Sequence, residues 1–162
     1  MARSLAALAF IGLVGAAPFS GLSAADIADK FLTVTPEQLV WRPVPNSFGV
    51  ESAVISGNPA KPGVYVVRVR FPPHVMDRPH WHSGDRHVTV LKGTWFAGTG
   101  VRFDPASAAP LPAGSYMFHP AGGIHWDGAY GDEEAIVQII GIGPIESTDV
   151  DKTLQSWVRV DR

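Results

Sequence analysis

Apolar and polar residues alternate along much of the chain, in short segments that turn residues separate. The clearest segment is "GVYVVRVRF" (Gly63 to Phe71), in which Val67 and Val69 alternate with Arg68 and Arg70. Successive side chains of a strand point to opposite faces of its sheet. This pattern therefore predicts a strand with one apolar and one polar face.

Four further segments have the composition of strands, with turn residues between them. They are His87 to Gly93, Thr94 to Gly98, Gly114 to Pro120 and Glu134 to Gly141. The 17 glycines and 14 prolines are spread along the chain, which argues against long helices. Only short helical turns are expected near the start, over Ile27 to Leu32 and Pro36 to Val40. Many short strands with regular turns predict an all-β barrel or sandwich.

The first residues have the features of a secretory signal. Arg3 is followed by an apolar run from Leu5 to Ala17 and by the small residues Ser23 to Ala25. A membrane anchor is the alternative, but the apolar run is shorter than the roughly 20 residues that a spanning helix needs. We therefore predict a signal peptide over 1–25, one domain over 26–162, and a secreted or periplasmic location.

Charge and composition exclude several kinds of partner and chemistry. The net charge is −2, and it is about −3 without Arg3, with no long basic run. Neither nucleic acid nor, after signal cleavage, a membrane is therefore an expected partner. Cysteine is absent. Disulfides, a thiolate nucleophile and sulfur metal ligands are thereby excluded.

All six histidines lie within one third of the chain, from His74 to His125. His80 and His82 are two residues apart, so a strand would present both imidazoles on one face. Such a pair can bind a transition metal, with a third ligand from a distant strand. Histidines at this spacing also occur as packing or surface residues. His74 is interpreted as a loop residue and His119 as a structural or supporting residue.

Two segments together resemble the two motifs of the cupin superfamily. They are "PHWHSGDRHVTVLKG" and "GSYMFHPAGGIHW". The residues that match the motif spacings are His80, His82, Gly93, Gly114, Pro120, Gly122 and His125. The resemblance implies a jelly-roll-type β-barrel, a double-stranded β-helix. It also implies one divalent transition metal (Fe, Mn, Ni, Cu or Zn) held by His80, His82 and His125, and assembly into a homodimer.

The glutamate of the first motif is missing. Counting back from the glycine that ends the motif leads to Arg86, and counting forward from His82 leads to His87. Arg86 shares a strand face with Val88 and Val90, which have the character of barrel lining. The alternation thus directs Arg86 inward and His87 outward. A bulge before this strand would reverse the two.

An inward arginine leaves three possibilities, because its guanidinium stays protonated and cannot ligate a metal. Arg86 could pair with Asp85 or Asp127, bind the carboxylate of a substrate, or weaken metal binding by its charge. Inward rotation of His87 instead would give a four-histidine site suited to Cu, Zn or Ni. We assign Arg86 as a candidate substrate-binding residue.

The resemblance also suggests a reaction. Three-histidine iron sites in cupins are associated with dioxygenases that act on thiols, diketones and gentisate-type acids. It therefore implies an exported, metal-dependent oxygenase that acts on a small anionic molecule. The alternatives are a non-catalytic cupin that binds or senses a small ligand or metal, a metal-assisted isomerase or decarboxylase, and a barrel without metal. The sequence assigns no catalytic residue.

Overall fold

Antiparallel strands form the framework of residues 31–160, the part of the chain that the computed structural model describes. The strands are β1 (Arg42–Pro43), β2 (Glu51–Ser56), β3 (Gly63–Phe71), β4 (Val75–Asp77), β5 (His80–His82), β6 (Arg86–Lys92), β7 (Thr94–Thr99), β8 (Ala109–Pro112), β9 (Tyr116–His119), β10 (His125–Ala129), β11 (Ala135–Gly143), β12 (Ser147–Asp149) and β13 (Trp157–Arg159). Two 3-10 helices cover Pro36–Gln38 and Pro105–Ser107. Within the described residues, no helix is long and apolar enough to cross a membrane.

The strands form two sheets. One has the order β1-β2-β3-β11-β6-β9, and the other contains the order β12-β5-β10-β4-β13 with β7 and β8 added through β10. The longest pairing joins β3 to β11 over nine residue pairs, from Ala135 opposite Phe71 to Gly143 opposite Gly63. The prediction of an all-β, jelly-roll-type barrel is confirmed by this arrangement.

Most predicted strands are found close to their predicted positions. The alternating segment Gly63–Phe71 is β3 in full, and the segment predicted from His87 is β6, shifted by one residue to Arg86–Lys92. The helical turn predicted over Pro36 to Val40 is the shorter 3-10 helix. The turn predicted over Ile27 to Leu32 lies mostly outside the described residues, as does the signal predicted over 1–25.

The apolar core explains the alternation of the central strands. Val88 and Val90 of β6, Val137 and Ile139 of β11 and Phe71 of β3 are buried in one cluster between the sheets. Burial of these side chains is the main driving force for closing the two sheets on each other. The inward phase of β6 that these valines set also decides where Arg86 points.

Gly93, the last residue of the first motif, has a steric reason to be glycine. It joins β6 to β7 with a φ of +68°, and a Cβ there would collide with the carbonyl oxygen of Glu134. Only glycine adopts this conformation at such close approach without strain. The turn at Gly93 fixes the register of β6. This strand follows His82 in the sequence and directs alternate side chains into the barrel.

Candidate metal centre

Four buried histidines, the histidine cluster, meet at one end of the barrel: His80, His82, His119 and His125. They come from three strands that are distant in sequence. His80 and His82 lie on β5, and His80 is directly opposite His125 of β10. His119 is the last residue of β9. Sheet pairing thus assembles the cluster, as the H-x-H spacing and the second motif predicted for three of its members.

The spacing of three of these rings suits one metal ion. The Nε2 atoms of His80 and His82 are 3.1 Å apart. Ligands bound at ~2.05 Å would then subtend about 100° at the ion, between octahedral and tetrahedral values. The ring of His125 has its centroid 4.4 Å from that of His80 and 5.2 Å from that of His82. Each of the three offers a ring nitrogen, and these nitrogens lie within 4.8 Å of one another.

Backbone carbonyls set the tautomers of two of these rings. Nδ1 of His80 is 2.9 Å from the carbonyl oxygen of Arg78, and Nδ1 of His125 is 2.8 Å from that of Gly123. A carbonyl only accepts, so each Nδ1 donates its proton and each neutral ring keeps its lone pair on Nε2. This is the usual support of a metal-binding histidine. Nε2 of His125 is buried and has no hydrogen-bond partner, as expected of an atom that binds a ligand.

His119 is supported in the opposite sense. Nη2 of Arg86 lies 3.2 Å from Nδ1 of His119, and a guanidinium only donates. Nδ1 of His119 is therefore the acceptor, and the proton of the neutral ring sits on Nε2. In this tautomer His119 presents an N–H to the cluster instead of a lone pair. We therefore do not count it among the candidate ligands.

Two buried carboxyl groups, the aspartate pair Asp77 and Asp127, lie beside the cluster. Asp77 Oδ2 is 3.6 Å from Nε2 of His80, and Asp127 Oδ2 is 3.9 Å from Nε2 of His125. Asp77 Oδ1 accepts the backbone N–H of Asp127 at 2.7 Å, and Asp127 Oδ1 accepts the indole N–H of Trp95 at 3.0 Å. Each carboxyl group is thus held through Oδ1 and directs Oδ2 toward a histidine.

Burial shifts the pKa values of all these groups in the direction that favours their neutral forms. Desolvation raises the pKa of Asp77 and that of Asp127 to about 8 each. It lowers the pKa of His119 to about 2 and that of His125 to about 3, and it also lowers the pKa of His80 and of His82. The histidine cluster is therefore neutral at physiological pH, the state in which imidazole binds metals.

Arg86 points into the barrel, whereas His87 is exposed on the outer face of β6. His87 Nδ1 is hydrogen-bonded to the Tyr116 hydroxyl at 2.7 Å, on the exposed face of the strand. A four-histidine site that includes His87 would require β6 to rotate so that its outer face points into the barrel. Asp85, one of the partners considered for Arg86, instead accepts the backbone N–H of Ala121.

A cavity of about 360 Å³ opens beside the candidate ligands. Polar groups that line it include His80, His82, Arg86 and the aspartate pair. Apolar side chains form another part of its wall: Val44, Val69, Phe71, Ile139 and Trp157. This volume and mixed lining are typical of a small-molecule site. Trp95 and Trp126 do not line the cavity and are buried in the core, and Phe118 is exposed.

The sequence does not indicate Asp77 as a site residue, and it indicates Asp127 only as a partner of Arg86 and His119 only as a structural or supporting residue. Asp127 is two residues after His125 on one strand, so its inward direction could have been inferred from strand phase. Asp77 lies in β4, which shows no alternation, and only the pairing of β4 with β10 brings it to the site. His119 contacts Arg86 because the two are opposite each other on β9 and β6, a register that the sequence does not contain.

Metal-free protein should be most stable near pH 6.5. Below that pH the unfolded chain protonates its histidines while the buried cluster stays neutral, so stability is lost as the pH falls. The aspartate pair acts oppositely. It holds protons up to about pH 8 when folded but loses them near pH 4 when unfolded, so stability is lost as the pH rises.

The four histidines outweigh the two aspartates between about pH 4 and 6.5, and only the aspartates act between 6.5 and 8. We expect urea unfolding in the presence of EDTA to give slopes of about 1–3 kcal/mol per pH unit on each side of the maximum. A free energy of unfolding that levels off above pH 6.5, instead of falling, would show that the aspartate pair is ionised in the folded protein.

Comparison with known families agrees with this geometry. A family model described as "ChrR Cupin-like domain" matches residues 29–146. No curated protein matches the chain.

Solved structures with the same fold include proteins of different kinds. A cupin-like protein from Thermotoga maritima is 26% identical, with a TM-score of 0.52, over 65% of this chain and 80% of that one. A Klebsiella pneumoniae protein with a double-stranded β-helix domain is 20% identical, with a TM-score of 0.56, over 74% and 97%. The polyketide cyclase RemF from Streptomyces resistomycificus is 13% identical, with a TM-score of 0.59, over 74% and 87%. Identities this low show the fold, and the reaction must be argued from the site.

Proposed function

The chain belongs to the family of ChrR cupin-like domains, and from this premise we propose that it is an exported, metal-dependent oxygenase that acts on a small anionic organic molecule. The metal ligands would include His80, His82 and His125. The observation that carries the proposal is the pair of Nδ1–carbonyl hydrogen bonds, which direct the Nε2 lone pairs of His80 and His125 into a buried cluster. When bound, such a metal supplies Lewis acidity and open positions for substrate and O2.

The anionic character of the substrate is inferred from Arg86. Among the described residues that line the cavity, it is the one lysine or arginine. Its Nη2 is engaged with His119, while its buried Nε has no hydrogen-bond partner. A carboxylate in the cavity would accept from this unpartnered Nε–H, a charge-assisted bond that fixes orientation as well as affinity. The apolar wall would hold the rest of the molecule and keep water away from it.

A second candidate is a cupin that binds or senses a ligand without turning it over. The observation that favours it is Arg86 itself, since a positive charge stands where the first motif has a ligating carboxylate. Repulsion between this charge and a divalent cation weakens metal binding unless negative groups offset it. The two proposals differ in whether O2 is consumed in the presence of a substrate.

Replacing Arg86 by methionine should weaken the binding of an anionic substrate far more than it changes the turnover rate. The test uses an oxygen electrode, metal-loaded protein and a panel of small thiol, diketone and hydroxybenzoate-type acids. For the acid that wild type oxidises, we expect KM to rise about 10- to 100-fold, the value of one or two charge-assisted hydrogen bonds.

The control is Arg68→Met, which removes a partly buried arginine that bonds Gln138 on the outer sheet face. It should leave KM unchanged. No O2 uptake by wild type with any of these acids would overturn the oxygenase proposal. Unchanged KM in Arg86→Met would overturn the role of Arg86 alone.

A further inference from the structure

The first motif lacks its carboxylate, but a buried carboxyl group, that of Asp127, stands on another strand 3.9 Å from His125. We infer that Asp127 of β10 is the fourth metal ligand, in place of the glutamate whose position Arg86 occupies on β6. This inference rests on the proposed three-histidine metal site and adds to it a residue that the motifs do not contain. The site would then keep three histidines and one carboxylate, with the carboxylate supplied by the strand that carries His125.

Asp127 lies close to two of the three candidate histidine ligands. One group of atoms within 4.8 Å of one another contains Asp127 and His125, and a separate group contains Asp127 and His80. Two atoms bound to one ion at ~2.1 Å are at most roughly 4.2 Å apart. The 3.9 Å between Asp127 Oδ2 and Nε2 of His125 falls within this limit.

The orientation of the Asp127 side chain supports the assignment. The Trp95 indole donates to Oδ1, which leaves Oδ2 to face the cluster. Asp127 is 4% exposed and His125 3% exposed, so bulk water does not reach the unpartnered Nε2 of His125. A cation bound by Asp127 Oδ2 and by Nε2 of His125 would satisfy that unpartnered nitrogen.

Asp77 is better placed to position Asp127 than to replace it. Its Oδ1 accepts the backbone N–H of Asp127, which ties β4 to β10 at the residue that would bind the metal. Its other oxygen is 3.6 Å from Nε2 of His80 alone. We therefore assign Asp77 a positioning role.

Charge gives an independent reason to expect a carboxylate ligand from a strand other than β6. A divalent ion, Arg86 and a neutral histidine cluster would carry three positive charges in a buried space, which is strongly unfavourable. One ionised carboxylate reduces this excess to two, and ionisation of both aspartates reduces it to one. Metal binding would itself favour the ionised form, because the cation attracts the carboxylate.

The test is a Co²⁺ titration of the full chain, read by visible absorption and by competition with a chelator. Asp127→Asn keeps an acceptor for Trp95 but loses the charge and the ligand oxygen. We expect its Co²⁺ affinity to fall at least about 100-fold and its absorption bands to shift. The control is Asp151→Asn. Asp151 is exposed, accepts from Thr153 and does not line this cavity, and its replacement should change neither property.

A double variant separates a ligand from a mere counter-ion of Arg86. If Asp127 only neutralises Arg86, then Arg86→Met combined with Asp127→Asn should bind Co²⁺ like wild type, with an unchanged spectrum. That result would overturn the inference. A loss of affinity that persists in the double variant supports it.

Three further outcomes are distinguishable. If Asp127→Asn does not fold in EDTA, judged by near-ultraviolet circular dichroism, Trp95→Phe decides. Loss of the bond to Oδ1 should lower affinity about tenfold, and unchanged affinity would overturn the inference. If wild type itself binds no Co²⁺, the metal proposal fails together with this one. If wild type binds and only the histidine variants lose metal, the three-histidine site stands without Asp127.

Discussion

Replacing His125 by alanine is expected to give a folded protein that retains no metal after purification. Its ring is 3% exposed, and its Nε2 is oriented by the Nδ1 bond to Gly123 and has no other partner. Removing one of so few ligands should lower affinity at least about 100-fold. Elemental analysis by plasma mass spectrometry should therefore find near-stoichiometric transition metal in wild type and little in His125→Ala. His80→Ala should behave in the same way.

The matched control for this result is His87→Ala. His87 also lies near the start of β6 and is one of the two residues that could occupy the glutamate position, but it is exposed and bonded to Tyr116 outside the barrel. Its replacement should leave metal content unchanged. Metal loss in His87→Ala would mean that β6 is rotated in solution, so that His87 faces the barrel interior. Metal retained in both His80→Ala and His125→Ala would exclude the three-histidine site.

The sequence predicted the framework of the barrel because local patterns set it. Alternation in Gly63–Phe71 reflects a strand with one face on the core, and β3 begins and ends where the pattern does. The same rule directed Arg86 inward, together with Val88 and Val90, and the structure places it there. Information carried by side-chain periodicity is therefore recoverable without an alignment. Short strands such as β4 and β13, with three residues each, offer too little periodicity to identify.

The candidate site was predictable only where a single strand or motif supplies its residues. His80 and His82 share one strand, and His125 ends the second motif. The contact between Arg86 and His119 depends on the register of β6 against β9, and that between Asp77 and Asp127 on the pairing of β4 with β10. Register depends on the packing of the whole sheet, so these partners could not be derived from local pattern.

Gly128→Ala is expected to be the most destabilising small substitution near the site. Gly128 has a φ of +150° in the middle of β10, opposite Met76 of β4. A Cβ would lie 2.5 Å from the Met76 Cα and closer still to the carbonyl oxygen of Val75. Backbone atoms of a paired strand cannot move aside as a flexible side chain can. We expect the free energy of unfolding to fall by about 3–5 kcal/mol, from strain at φ together with the collision.

The close approach of β4 and β10 at Gly128 also affects the candidate metal centre. Because β4 and β10 meet without a side chain between them at Gly128, the Asp77 carboxylate reaches the backbone N–H of the preceding residue, Asp127. Gly128→Ala should therefore also lower metal affinity. Urea unfolding in EDTA measures the first effect, and Co²⁺ titration of the folded fraction the second. The control is Gly100→Ala, at φ +86° with open space around it, which should cost about 1 kcal/mol. Equal losses in both variants would attribute the cost to φ alone and remove the steric argument for how β4 brings Asp77 to the metal centre.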